Sequence, residues 1–221
     1  VLERVARFDR VLSQPGGSIL LCGNSGVGRR SLMLLLAYMH NMEFFTPKMT
    51  KTYDLKSFRN DLKEVLRRAG VEGKPVLLFL EDHQLVQASF LELINSLLSG
   101  GEVPGLFTPE ELAKELAPLD KARDEDPLYT GPSNSYAFFS YRVKRNMHIA
   151  VSMDPSNDLF RSRCEANPAL FTRCSVQWLE GWNTKGLNQI AASRLKDVVA
   201  SSPELKKLGA DKLIGHLVYM H

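Results

Sequence analysis

The stretch Ser18-Ile-Leu-Leu-Cys-Gly23-Asn24-Ser25-Gly26-Val27-Gly28-Arg29-Arg30-Ser31 decides the fold. A short apolar run ends in Gly23 and reads as a buried strand. Glycines at 23, 26 and 28 let the chain turn tightly and aim backbone N–H groups inward. The segment from Ser31 to Met39 is almost wholly apolar and reads as a buried helix. A glycine-rich turn that opens a helix gathers amides and the positive end of the helix dipole, which is a cradle for phosphate. The usual pattern is G-x-x-x-x-G-K-[ST]. Gly23 and Gly28 fit it, whereas Arg29 stands for the lysine and Arg30 for the hydroxyl residue. Arg29 keeps a positive charge near the phosphates. Arg30 removes the hydroxyl that would hold Mg²⁺ and puts a second cation there. Ser31 comes one residue late, turned by roughly 100° around the helix. A tight strand-to-helix connection without a ligand is the competing reading of the loop.

Outward from the loop, short apolar runs alternate with amphipathic stretches. Val76 to Leu80, Met147 to Met153 and Cys174 to Trp178 read as strands, and Glu43 to Phe45 as a weak one. Leu55, Phe58, Leu62, Val65 and Leu66 recur at helical spacing, with Gly70 as a stop. Phe90, Leu91, Ile94, Leu97 and Leu98 give another helical face. Thr108-Pro109-Glu110-Glu111 has the form of a capping box with proline at the first helical position. Residues 118–135 are rich in Pro, Asp and Gly and read as a loop or insertion; 136–145 reads as a helix. Two helical segments, about 183–199 and 210–220, end the chain, broken at Ser201, Ser202 and Pro203. Alternating strands and helices imply an α/β fold with a parallel sheet covered on both faces.

Composition narrows the field. The chain has 221 residues, 44% hydrophobic and 24% charged, which suits one globular domain or one with a small appendage. A net charge of +3 is too small to argue for nucleic acid. Three cysteines, Cys22, Cys164 and Cys174, cannot make a closed disulfide framework and fit a reducing compartment. No window of apolar residues is long enough for a membrane span. The chain does not begin with Met, so a piece of something longer is expected.

Two acidic features stand where phosphate chemistry would need them. Glu81-Asp82 follows the strand from Val76 to Leu80, and Asp154-Pro155 follows the one from Met147 to Met153. Their plain readings are an acidic strand end facing water and an Asp-Pro turn. Arg30 is expected to pair with Glu81 and Asp154, standing in for a metal as the local positive charge.

These segments together resemble a known family. Phe8-Asp-Arg-Val-Leu-Ser-Gln-Pro-Gly16, the glycine loop, Gly101-Glu-Val-Pro-Gly-Leu-Phe107 and Asn167-Pro-Ala-Leu-Phe-Thr-Arg-Cys174 are similar to an AAA+ module of a dynein heavy chain, over residues 1–182. The paired arginines resemble the fourth module of the intraflagellar-transport class. The resemblance implies a phosphate-loop three-layer sandwich over 1–180 and the start of a small helical lid subdomain over 181–221. It implies ADP or ATP at Gly23, Asn24, Ser25, Gly26, Val27, Gly28, Arg29, Arg30 and Ser31, with Mg²⁺ placed in doubt by Arg30 and no metal-ligating residue.

In this family the strand before the acids usually ends in Asp then Glu, so Glu81-Asp82 is a swapped order. Asp82 is one methylene short for polarising water, and a general base must lie within about 2.6–3.2 Å of its target. Asp154 stands where an Asn touches the terminal phosphate. Arg173 matches the arginine finger that reaches a neighbouring module, and such a residue is worth about 10³–10⁵ in rate. Arg161 and Arg163 are expected to support the same interface.

The partners implied are neighbouring AAA+ modules of one heavy chain, microtubules only through a stalk outside this segment, and light and intermediate chains indirectly. No nucleic acid or membrane is expected. The compartment implied is cytoplasm and cilium. Binding with weak or absent hydrolysis is the leading expectation. A slow Mg²⁺-dependent ATPase and an empty ring segment are the alternatives. A stand-alone GTPase lacks its N-K-x-D motif.

Among weaker candidates, His83 reads as a polar strand end. His40, His148, His216 and His221 lack metal spacing, and the Phe138-Phe139-Tyr141 cluster reads as core. Lys144-Arg145 and Lys206-Lys207 read as solvated faces.

Overall fold

The computed structural model describes residues 2–201 and 210–220, with the side chains of 196–200, 210, 211, 217 and 220 left aside. The Ser202-Pro203 break, Lys206-Lys207 and His221 lie outside the described residues, and Ser201 is the last residue of a helix. The chain divides into two compact units, Val1–Leu179 and Glu180–His221.

The first unit is built on five parallel strands: β1 (Ser18–Gly23), β2 (Glu43–Phe45), β3 (Val76–Glu81), β4 (Met147–Met153) and β5 (Cys174–Leu179). They lie in the order β2-β3-β4-β1-β5. The chain leaves β1 for the far edge and returns strand by strand, then passes β1 to reach β5. Because parallel crossovers are right-handed, this reversal sends the connecting helices to opposite faces. Helices α1 (Leu2–Leu12) and α2 (Arg29–Met39) cover one face. The other face carries α3 (Leu55–Leu66), α4 (Ala88–Gly100), α5 (Pro109–Leu116), α6 (Leu119–Glu125), α7 (Ser135–Asn146), α8 (Phe160–Ala166) and α9 (Ala169–Thr172). The strands alternate between two cores. Leu77 and Phe79 enter the α1/α2 side, while Val76, Leu78 and Leu80 enter the other. A strand buried on both faces has no polar alternation to show, which is why β1 and β3 read as apolar runs, whereas the edge strands β2 and β5 are only half-buried.

Three expectations are corrected, and one element went unread. Helix α2 is not buried all round: Leu34, Leu35, Tyr38 and Met39 are exposed, and Met33, Leu36 and Ala37 form its inner stripe. Gly70 is no helix stop. Helix α3 runs into a π turn, Arg67–Val71, in which Gly70 is buried, and a Cβ there would lie 2.4 Å from the Phe139 ring. The left-handed glycine is Gly73, φ +69°. The 118–135 segment contains α6, whose Leu119 is buried and whose Arg123 pairs with Asp120 and Asp124. Finally, α1 is an element that the residue pattern left unread, though Phe8 and Leu12 are its buried positions.

The second unit holds α10 (Thr184–Ser201) and α11 (Ala210–Met220), which pack on one another. Among the described residues no helix is long and apolar enough to cross a membrane.

Candidate functional site

The carboxyl ends of β1, β3 and β4 bring the predicted loop and both acidic features together. Brought to one end of a parallel sheet, such groups mark the usual ligand crevice. Gly23 closes β1 against β5: a Cβ there would lie 2.7 Å from the Leu179 carbonyl oxygen. Gly26 and Gly28 take φ +82° and +85°, the left-handed values that turn the loop back on itself. Asn24, Ser25 and Gly26 are exposed and Val27 is buried, anchoring the loop in the α1/α2 core. Gly28 is the N-cap of α2 and supplies no side-chain cap, and the first turn carries no acid. Among the described residues the first amides of the helix therefore have no side-chain acceptor, a state that suits an anion.

The two arginines of the loop diverge. Arg29 turns back, and its Nη1 donates to the Met153 carbonyl at 2.9 Å. It braces the end of β4 rather than pointing into the loop. Arg30 Nη1 meets Glu81 Oε2 at 2.7 Å, and the guanidinium lies 6.0 Å from the Phe44 ring centroid. The expected second partner of Arg30, Asp154, is bound otherwise. Its carboxylate accepts from the Ser156 N–H at 2.9 Å, the geometry of an Asp-initiated turn. That bond is the main cause holding Asp154 below the usual carboxylate range, with Arg29 and the Ser25 amide adding to it. Asp154 is therefore an ionised group beside the loop, with its own partners.

Asp82 is the hub of the site. Its Oδ1 accepts from Arg163 Nη1 at 2.5 Å, and its Oδ2 from the Asp154 N–H at 2.9 Å and from Asn157 Nδ2 at 3.3 Å. Three donors, one of them a guanidinium, thus engage the Asp82 carboxylate. Arg163 was expected at the outer interface; it points inward instead, with its side chain 14% exposed. Arg161 remains outside, paired with Glu165. Gln84, 3% exposed, ties the strand ends together: Oε1 accepts from the Glu81 N–H, and Nε2 donates to Thr46 and the Pro47 carbonyl. His83 is exposed. Asn157 and Gln84 are the residues that the sequence reading missed, and Arg163 was read in a different role. Each acts through a partner distant in sequence, and only an Arg or an amide near an acidic strand end hinted at it.

Arg173 lies elsewhere. It precedes β5, whose first residue pairs with Ser18 at the start of β1. A six-residue strand at about 3.3 Å per residue puts it roughly 20 Å from the loop. It is exposed and lines a cleft of about 310 Å³ with Gly16, Ser18, Gly101 and Lys144. Arg173 therefore serves no group in this chain's own loop. Among the described residues no cluster of His, Cys, Asp or Glu has the makings of a metal site. The three cysteines are free and buried.

A strand, glycine loop and helix at the end of a sheet ordered β2-β3-β4-β1-β5 is the frame of a phosphate-loop module. The family model described as "P-loop containing dynein motor region D4" matches residues 1–221. The chain belongs to the dynein motor D4 family. This D4 region is 85% identical, along its whole length, to cytoplasmic dynein 2 heavy chain 1 of Chlamydomonas reinhardtii, and covers 5% of that protein. It is 51% identical to the human protein of that name over 86% of the chain and 4% of the relative. It is 37% identical to the dynein-1-beta heavy chain of the flagellar inner arm I1 complex of C. reinhardtii, over 93% of the chain and 4% of the relative. The D4 region thus spans about one twentieth of the first of these relatives.

Proposed function

We propose that this D4 region is a regulatory nucleotide-binding module with little or no hydrolysis of its own, working inside a microtubule motor. The observation that carries the reading is the Arg30–Glu81 ion pair at 2.7 Å. It fills, with a protein cation and its counter-charge, the corner where a hydroxyl and an acid would hold Mg²⁺. The phosphate loop fits a nucleotide: the amides from Asn24 to Arg30 and the uncapped start of α2 would hold the phosphates of ADP or ATP. The acidic and basic residues do not fit a metal, so no step is assigned to one. Asp82, occupied by Arg163, supports weak hydrolysis for a second reason.

By the same reading Arg173 is an arginine finger for the neighbouring AAA+ module. Its position at the amino end of β5, away from its own loop, supports action outside the chain. The names of the relatives support a place within a cytoplasmic dynein 2 heavy chain; microtubule contact through a stalk, light and intermediate chains, and work in the cilium follow only from the resemblance to that class.

The test is calorimetry of ADP and ATP binding, with Mg²⁺ and with EDTA. Binding that survives EDTA is the expected result. Binding that needs Mg²⁺ would favour a slow ATPase, and no binding in either condition would favour an empty ring segment. Arg30→Ser restores the hydroxyl and is expected to make binding Mg²⁺-sensitive.

A further inference from the structure

An unbroken series of hydrogen bonds runs from the phosphate loop to Arg173. Arg29, the first residue of α2, donates to the Met153 carbonyl at 2.9 Å. The following amide, that of Asp154, donates to Asp82 Oδ2 at 2.9 Å. Asp82 Oδ1 accepts from Arg163 Nη1 at 2.5 Å, and Arg163 Nη2 donates to the Leu85 carbonyl at 2.7 Å. On α8 the Arg163 carbonyl accepts from Asn167 Nδ2 at 2.7 Å. The Asn167 carbonyl accepts from the Leu170 N–H in α9 at 3.1 Å. The Arg173 N–H then closes α9 on the Ala169 carbonyl at 2.9 Å.

Two features make this series responsive. The first is the fork of Arg163, nearly enclosed and divided between Asp82 and a backbone carbonyl. Phosphate arriving at the loop adds negative charge beside Asp82, in surroundings where water screens little. A guanidinium shared between anions redistributes its donors. The second is Asn167. It is 3% exposed, and its Oδ1 has no hydrogen-bond partner among the described residues. A buried acceptor without a donor is costly, so the junction of α8 and α9 has a second arrangement to gain from. The start of α9 is tied to α4: Asn95 Oδ1, on α4, accepts from the Ala169 N–H at 2.9 Å. A shift of α8 therefore turns α9 about that anchor.

We infer that Arg163 is a positioning residue for Arg173, carrying the occupancy of this module's phosphate site along α8 into α9. The inference rests on the reading of the loop as a nucleotide site and of Arg173 as a group offered to a neighbour. It adds that the two are coupled, and through which side chain.

The experiment is hydrogen exchange by mass spectrometry on the intact heavy-chain motor, with and without ADP. In the natural protein ADP is expected to slow exchange at residues 24–28 and to change it several-fold at residues 169–173. Arg163→Gln is expected to keep the first response and lose the second. Arg163→Lys keeps a cation on Asp82 but gives up the second donor, and is expected to recover part of the response. In the double variant Arg163→Gln with Asp82→Asn no charge is left unpaired, and the response at 169–173 is expected to stay absent. A response that persists in Arg163→Gln, or returns in the double variant, overturns the coupling. So does a natural protein with a protected loop and silent residues 169–173. A loop that ADP does not protect overturns the nucleotide reading, and the coupling with it.

Discussion

Gly23 and Gly26 are required for different reasons, and substitution separates them. A Cβ on Gly23 would press on the Leu179 backbone at 2.7 Å, and that backbone is held in the β1–β5 register. Gly23→Ala is expected to cost about 1–3 kcal/mol, the range for overpacking. A Cβ on Gly26 meets nothing within 4 Å, but φ is +82°. Gly26→Ala is expected to cost about 1–2 kcal/mol from the left-handed backbone alone, and to weaken phosphate binding more than Gly23→Ala does for the same loss of stability. Denaturant unfolding and ADP titration of both variants decide it; parallel losses in the two measurements would refute the separation. His148 gives a pH signature at the same scale. It is 4% exposed, and its Nδ1 lies 2.9 Å from the Gly17 carbonyl, which only accepts, so Nδ1 carries the proton of a neutral ring. Burial pushes its pKa below the ordinary value; the Gly17 bond opposes this and His40 adds to it. The unfolded chain takes up the proton near pH 6.5 and the folded one resists. His148 therefore favours folding fully above about pH 6.5, and that share is lost as pH falls below it. The denaturation midpoint of the natural chain is expected to drop more between about pH 7 and pH 5 than that of His148→Gln. Equal slopes would show that His148 does not titrate differently on folding.

Among the elements, α5 is set by its own first turn. Thr108 Oγ1 accepts from the Glu111 N–H at 3.2 Å, and Glu111 Oε2 accepts from the Thr108 N–H at 2.8 Å. Glu111 also meets Lys63 of α3 at 2.7 Å, so the cap ties two helices. Thr108→Ala is expected to cost about 1 kcal/mol, and Glu111→Gln, which keeps the box but loses the charge pair, less. Thermal unfolding of the two variants tests the order. This cap was legible because every bond in it spans three residues. The inner strands β1, β3 and β4 were legible because a sheet covered on both faces demands largely apolar runs. Helix α6 was not: its sequence Leu-Asp-Lys-Ala-Arg-Asp-Glu has no apolar stripe, and one buried leucine holds it. The exposed side of α2 was hidden because a helix apolar all round does not say which stripe faces inward. The site divides the same way. Its glycines could be read, since a glycine acts through its own backbone. Arg30 with Glu81 followed from opposite charges at the ends of two elements meeting at one sheet end. The turn of Arg29 towards Met153 and of Arg163 towards Asp82 depends on rotamers and on partners 124 and 81 residues away.

At the scale of the whole α/β unit, one sheet serves two cores, and this sets how the unit fails. Phe79 enters the α1/α2 core beside Phe44, with ring centroids 5.6 Å apart. Phe90 enters the opposite core stacked on Phe58 at 4.4 Å. Both are 0–1% exposed, so truncation to alanine is expected to cost about 3–5 kcal/mol at either site. The cores are not separable bodies. Leu77 and Leu78 are neighbours on β3 and stand in different cores, so loosening one helical layer takes the strand from the other. Phe79→Ala is therefore expected to lower exchange protection in α3 and α4, across the sheet, by as much as in α1 and α2. Native-state hydrogen exchange reads this directly, because the slowest amides of a cooperative unit share one opening free energy. Amides of α3 and α4 that kept their protection in Phe79→Ala would mean that the far layer holds the sheet without the near one. The phosphate loop hangs from β1, an inner strand held between β4 and β5. If the layers open together, the loop amides lose their backing in the same event, and ligand on the loop steadies both layers at once.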